Sequence, residues 1–72
     1  MRSFTDDEGA RWEVVLGKAS WGTLTLLFAP AAGGETRTSI LHAETTLAAN
    51  AELDALSDAD LRDRLRDSRP WP

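Results

Sequence analysis

The chain predicts an α+β domain, a three- or four-stranded antiparallel β-meander followed by one or two C-terminal helices packed on one of its faces. Residues 1–44 alternate apolar and polar side chains in short runs broken by glycine- and aspartate-bearing turns. Residues 45–68 then switch to alanine, leucine and charged side chains at helical spacing, and residues 69–72 read as an extended tail. With seventy-two residues the chain is a single domain, near the size at which one core barely offsets the entropy of ordering the backbone.

Phe4 and Thr5 suit a first strand, and Asp6-Asp7-Glu8-Gly9 supplies polar residues and a glycine for a hairpin turn. The return strand, Arg11 to Leu16, sets Trp12, Val14 and Leu16 on one face and Arg11, Glu13 and Val15 on the other. Gly17-Lys18-Ala19-Ser20 is expected to break it. A third strand starts at Trp21 or Thr23 and runs to Ala29, with Leu24, Leu26 and Phe28 opposite Thr23, Thr25 and Leu27; apolar residues on both faces mark it as central. Pro30 ends that run, Ala31 to Glu35 forms a loop, and β-branched residues place a fourth strand at Thr36 to Glu44. Either Ile40 or Leu41 then belongs to the core.

From Leu47 to Leu56 strong helix formers run without glycine or proline, with Thr45 or Thr46 as N-cap. Ala49, Leu53 and Leu56 share a face. Ser57-Asp58-Ala59-Asp60 resembles a capping box and opens a helix with Leu61 and Leu65 as its apolar stripe. Whether these are one helix or two stays open. Asp58 with Arg62, and Asp60 with Arg64, have the spacing of helical ion pairs, and Pro70 bars continuation. The expected core is Phe4, Trp12, Val14, Leu16, Leu24, Leu26, Phe28, Leu53, Leu56, Leu61 and Leu65, joined by Ile40 or Leu41.

Composition narrows the function. No cysteine and one histidine remove disulfides and a structural zinc as staples. The first eight residues lack the apolar stretch of a signal peptide, and Leu26 to Ala32 is too short to span a bilayer. The expectation is a cytoplasmic protein with no membrane partner. A net charge of −4 and a pI near 4.7 oppose attraction to phosphate backbones or anionic lipid, so no nucleic-acid partner is expected. One lysine, no tyrosine and much alanine, leucine, aspartate and arginine suit high-GC coding and a bacterial source.

No catalytic, metal or cofactor site is predicted. His42 has no second histidine or cysteine to complete a metal site, and Ser20, Ser39 and Ser57 lack a nucleophile-elbow context. Asp6, Asp7 and Glu8 lack the alternation of a calcium loop, and Gly33-Gly34 lacks the lysine of a phosphate loop. Arg62, Arg64, Arg66 and Arg69 interleave with aspartates and read as a solvated face. Arg62 and Arg66 remain candidate anchors for a partner carboxylate.

Three tryptophans are a stronger signal, because indole is enriched in small cores and in binding hot spots. Trp12 falls in register with the core. Trp21 follows a turn and suits either the core edge or the surface. Trp71 either folds back over the sheet, the favoured reading, or anchors another chain. If helices cover one face only, Val15 and Leu27, with Trp21, leave an apolar patch on the other. The predicted function is therefore a non-enzymatic protein-interaction module, a homodimer or an adaptor, using the second sheet face or an edge strand. Its candidate contact residues are Val15, Trp21, Leu27, Arg62, Arg66 and Trp71. The alternative is a small-ligand sensor holding its ligand between sheet and helices, near Trp12 and His42.

The opening Phe4-x-Asp6-x-x-Gly9-x-x-Trp12-x-Val14, with Leu26-x-Phe28 and Ser57-Asp58-x-Asp60-Leu61, resembles small uncharacterised proteins of high-GC bacteria. The resemblance implies a compact stand-alone domain and a hairpin role for Asp6 and Gly9. It carries over no functional residues.

Overall fold

Asp6 turns the chain back on itself. Its Oδ1 accepts hydrogen bonds from the backbone amides of Glu8 and Ala10, both at 2.9 Å, while Gly9 closes the turn at a φ of 84°. That left-handed conformation disfavours a side chain and suits glycine. The turn joins β1 (Arg2–Thr5) to β2 (Arg11–Lys18) in a computed structural model that describes residues 2–18 and 23–71. β3 (Leu24–Pro30), β4 (Arg37–Ile40), α1 (Thr46–Ala55), α2 (Asp58–Arg66) and β5 (Arg69–Pro70) follow. The strands form one antiparallel sheet in the order β1-β2-β3-β4-β5, a meander apart from the two helices between β4 and β5.

Helices cover one face of this sheet. Phe4, Val14, Leu24, Leu26 and Phe28 point toward Ala49 and Leu53 of α1 and Leu61 of α2, and Trp12, Leu16, Leu56 and Leu65 pack around that cluster. Phe4 and Phe28 meet edge to face, their ring centroids 6.0 Å apart. Register decides between Ile40 and Leu41. The Leu41 amide donates to the Leu24 carbonyl at 2.9 Å, so Leu41 lies on the core face and is 2 % exposed, while Ile40 lies on the other face.

The helix ends follow the expected chemistry. Thr45 caps α1 through the Ala48 amide, and α2 carries the capping box, Ser57 bonding the Asp60 amide and the Asp60 carboxylate bonding the Ser57 amide. The helices are two separate elements. Arg2 stitches their junction to β1: its guanidinium donates to the Leu53 carbonyl at 2.9 Å and to the Leu56 carbonyl, and pairs with Asp58 at 3.1 Å. A cation there suits the carbonyl-rich end of α1.

Several boundaries differ from expectation. Gly17 does not break β2, which continues to Lys18 with Gly17 opposite Thr25. The reason is lateral space: a Cβ on Gly17 would sit 2.7 Å from Leu27 Cγ and Cδ1, so the bare glycine lets the Leu27 side chain lie across it. β4 stops at Ile40 instead of reaching Glu44, because β3 begins at Leu24 and offers no further residue to pair with positions 42–44. The tail adds a fifth strand. Arg69 opposes Thr38, Pro70 opposes Arg37, and the Trp71 amide donates to the Thr36 carbonyl at 2.9 Å. Because Arg69 and Trp71 direct their backbone bonds at β4, antiparallel alternation turns Pro70 to the outer edge, where its missing amide hydrogen costs no ladder bond. Trp71 therefore does not fold back over the core and is 53 % exposed.

Candidate functional site

Alternation along β2 to β5 builds the face that the helices leave uncovered. In register across it run Val15, Leu27, Thr38 and Arg69, with Glu13 opposite Ala29 on one side of that row and Gly17, Thr25 and Ile40 on the other. Trp71, beyond Arg69 on β5, falls on the same face by the same alternation. Val15 is 39 % exposed and Ile40 56 %, and Leu27 is half-buried where it lies over Gly17. Thr25, flanked by Gly17 and Ile40, is buried. The face thus carries aliphatic and threonine side chains at its centre, flanked by Glu13 and Arg69, with Ser3 and Thr5 of β1 beyond Glu13.

Of the sequence-predicted contact residues, Val15, Leu27 and Trp71 come together here. Trp21 lies outside the described residues. Arg62 and Arg66 belong to α2, on the opposite side of the sheet, and do not join them.

The arginines of α2 also lack the partners their helical spacing predicted. Arg62 Nε donates to the Thr5 carbonyl at 2.7 Å, Asp58 pairs with Arg2, and Arg64 meets Glu52 of α1 at 3.5 Å. Arg66 pairs with Asp63 one turn away and with Asp7 of the first turn at 3.5 Å. Long side chains on a helix lying over a sheet reach carbonyls and carboxylates that sequence spacing does not reveal. Arg62 thus ties α2 to β1 and Arg64 ties it to α1, whereas Arg66 keeps a partner on its own helix and stays exposed. Arg37 ties β4 to the segment after α2, donating to Ser68 Oγ at 2.7 Å and to the Ser68 carbonyl at 2.6 Å.

Between the first turn and α2 lies an open cleft of about 540 Å³, walled by Asp6, Asp7 and Glu8 against Arg37, Arg62 and Arg66. One ion pair crosses it, Arg66 with Asp7 at 3.5 Å, while Arg62 bonds the Thr5 carbonyl and Arg37 bonds Ser68. A second recess of about 220 Å³ lies by Leu16, Lys18, Leu24 and Thr46, where β2 extends past the last β1 partner of its edge, Val14. Neither is lined by Trp12 or His42, the residues named for a sensor site. The Trp12 indole instead donates to Asp6 Oδ2 at 2.8 Å, and His42 is exposed in the connection after β4. That bond, with the Ala10 and Glu8 amides, holds the Asp6 carboxyl below its ordinary pKa. Backbone and hydroxyl bonds from Ser57 lower that of Asp60. Among the described residues no group of three or more histidine, cysteine or acidic side chains is placed to hold a metal ion, and no helix is long and apolar enough to cross a membrane.

Sequence reasoning placed Glu13 with Val15 on this face but missed Ile40 and Arg69 as its members. Ile40 was inseparable from Leu41 until the pairing of Leu24 was known. Glu13 alternates with Val15 and was legible, whereas Arg69 reaches the face only through β5. Comparison with protein-family models, curated proteins and solved structures finds no match to this chain.

Proposed function

We propose that this protein is a non-enzymatic interaction module that meets other protein through the uncovered sheet face. The observation that carries the reading is the grouping of Val15, Leu27, Ile40 and Trp71 on one side of a sheet whose helices all lie on the other. A half-naked sheet exposes apolar area that a soluble domain covers by association. Composition supports the bacterial cytoplasm as its compartment: no cysteine and an acidic balance.

The test is a double substitution, Val15→Lys with Ile40→Lys, in the full chain used as bait in a bacterial lysate. Both positions are exposed, so the fold survives and circular dichroism checks it. Loss of the bound proteins retained by the wild type supports the reading. Retention of the same proteins by a correctly folded double variant overturns it.

A further inference from the structure

We infer that β5 is a displaceable strap on the edge of β4, and that an extended segment of another protein, with an aromatic residue two positions after a basic one, takes its place there. The inference rests on the interaction reading above and names how a partner reaches the uncovered face. Its ground is that the chain's own tail shows what this edge accepts. Arg69 lies opposite Thr38, Pro70 lies opposite Arg37, and the Trp71 amide donates to the Thr36 carbonyl at 2.9 Å. Strand alternation seats Arg69 and Trp71 on the uncovered face, at the end of the row formed by Val15, Leu27 and Thr38. A replacing strand satisfies the β4 backbone with its main chain and reaches that row with alternate side chains, the division between affinity and specificity that strand addition uses.

The strap is held lightly and its hinge firmly. β5 pairs with β4 over two residues, whereas β2 and β3 pair over seven, and Arg69, Pro70 and Trp71 are all exposed. Segments with few buried contacts and exposed backbone bonds open ahead of the whole domain. Ser68, immediately before the strap, is buried; its hydroxyl accepts from Arg37 Nε at 2.7 Å and its carbonyl from Arg37 Nη2 at 2.6 Å. Behind it, α2 is anchored by the buried Leu61. Opening therefore stops at Ser68 and peels residues 69–71 without loosening α2. It leaves the Thr36 carbonyl and both backbone groups of Thr38 facing an open edge.

Tethering sets the competition. Joined to the fold at Ser68, the strap acts at an effective concentration on the order of 1 mM, so an incoming strand binds the intact chain more weakly than a chain whose strap is already peeled. Arg69→Pro supplies that second state, because it removes the amide that bonds Thr38 at an exposed position outside the core.

Two measurements on the full chain test the inference. In native-state hydrogen exchange, the Thr38 and Trp71 amides should exchange at least about 100-fold faster than those of Val15 and Leu27, which join β2 to β3. Rates equal within about threefold overturn the strap. The interaction reading survives that result, since Val15→Lys with Ile40→Lys tests it separately. The second measurement titrates an acetylated peptide of residues 68–72, followed on the amide resonances of residues 36–40, with circular dichroism confirming that the Arg69→Pro variant is folded. The expected result is a dissociation constant of about 1 mM or below for that variant, and binding to the wild type at least about tenfold weaker. Absence of binding to the folded variant, or equal binding to both chains, overturns the β4 edge as the seat. Equal binding by a peptide carrying Trp71→Ala overturns the aromatic requirement.

Discussion

The indole nitrogen of Trp12 donates to Asp6 Oδ2 at 2.8 Å, tying the first core tryptophan of the sheet to the carboxylate that shapes the β1–β2 turn. One carboxylate thus satisfies a half-buried indole with one oxygen and two backbone amides with the other. The hairpin and the packing of Trp12 are formed together.

Acid should release that link. The folded pKa of Asp6 lies below its ordinary value of 3.8, chiefly through the Trp12 hydrogen bond. Its contribution to stability is therefore fully present above 3.8 and is lost as pH falls through the depressed folded value. Asp60, lowered by Ser57, adds an effect of the same sign. Thermal unfolding between pH 6 and pH 2, in about half-unit steps, should show a steep acid limb that Asp6→Asn flattens. An unchanged limb in that variant would remove Asp6 from the account.

Leu61 is fully buried beneath the sheet, where it anchors α2 to the core. Leu61→Ala should cost about 2–5 kcal/mol through lost transfer energy and the cavity left behind. Domains of this size rarely hold more than about 3–5 kcal/mol, so the variant should be largely unfolded by circular dichroism at 25 °C.

Ser57→Ala removes one half of the capping box and should lower stability by about 1 kcal/mol in urea titration, without altering the m-value. Ser57→Asp should recover most of that loss, because aspartate caps as well and suits the positive helix end.

Arg2→Leu should cost about 1–3 kcal/mol, since it leaves the Leu53 and Leu56 carbonyls without their guanidinium. Hydrogen exchange should report the damage first at the end of α1, far from residue 2 in sequence. Uniform loss of protection, with no excess there, would contradict the link.

Positions with strong local signals were legible in the sequence. Gly9 after three acidic residues, the alternation from Trp12 to Leu16, and Ser57 three residues before Asp60 each carry their conformation in neighbouring side chains. Distant geometry was not legible. Gly17 reads as a breaker until Leu27 is seen to need its space, and Arg69-Pro70 has no strand signal until β4 offers an edge. Arginine partners fail for the same reason: Arg62 reaches Thr5, fifty-seven positions away. Val15 and Leu27 were recognisable as second-face residues because a two-sided apolar strand must point somewhere. Arg62 and Arg66 were grouped with them on charge alone, and topology separates them.

Pro70 at the outer rim of β5 gives the sheet an end instead of a growth point. A strand arriving from another molecule would find a pyrrolidine ring where it needs a hydrogen-bond donor, so polymerisation along the β5 edge stalls at its first step. Replacing the ring with an amide-bearing residue would give that edge one more donor for an incoming strand.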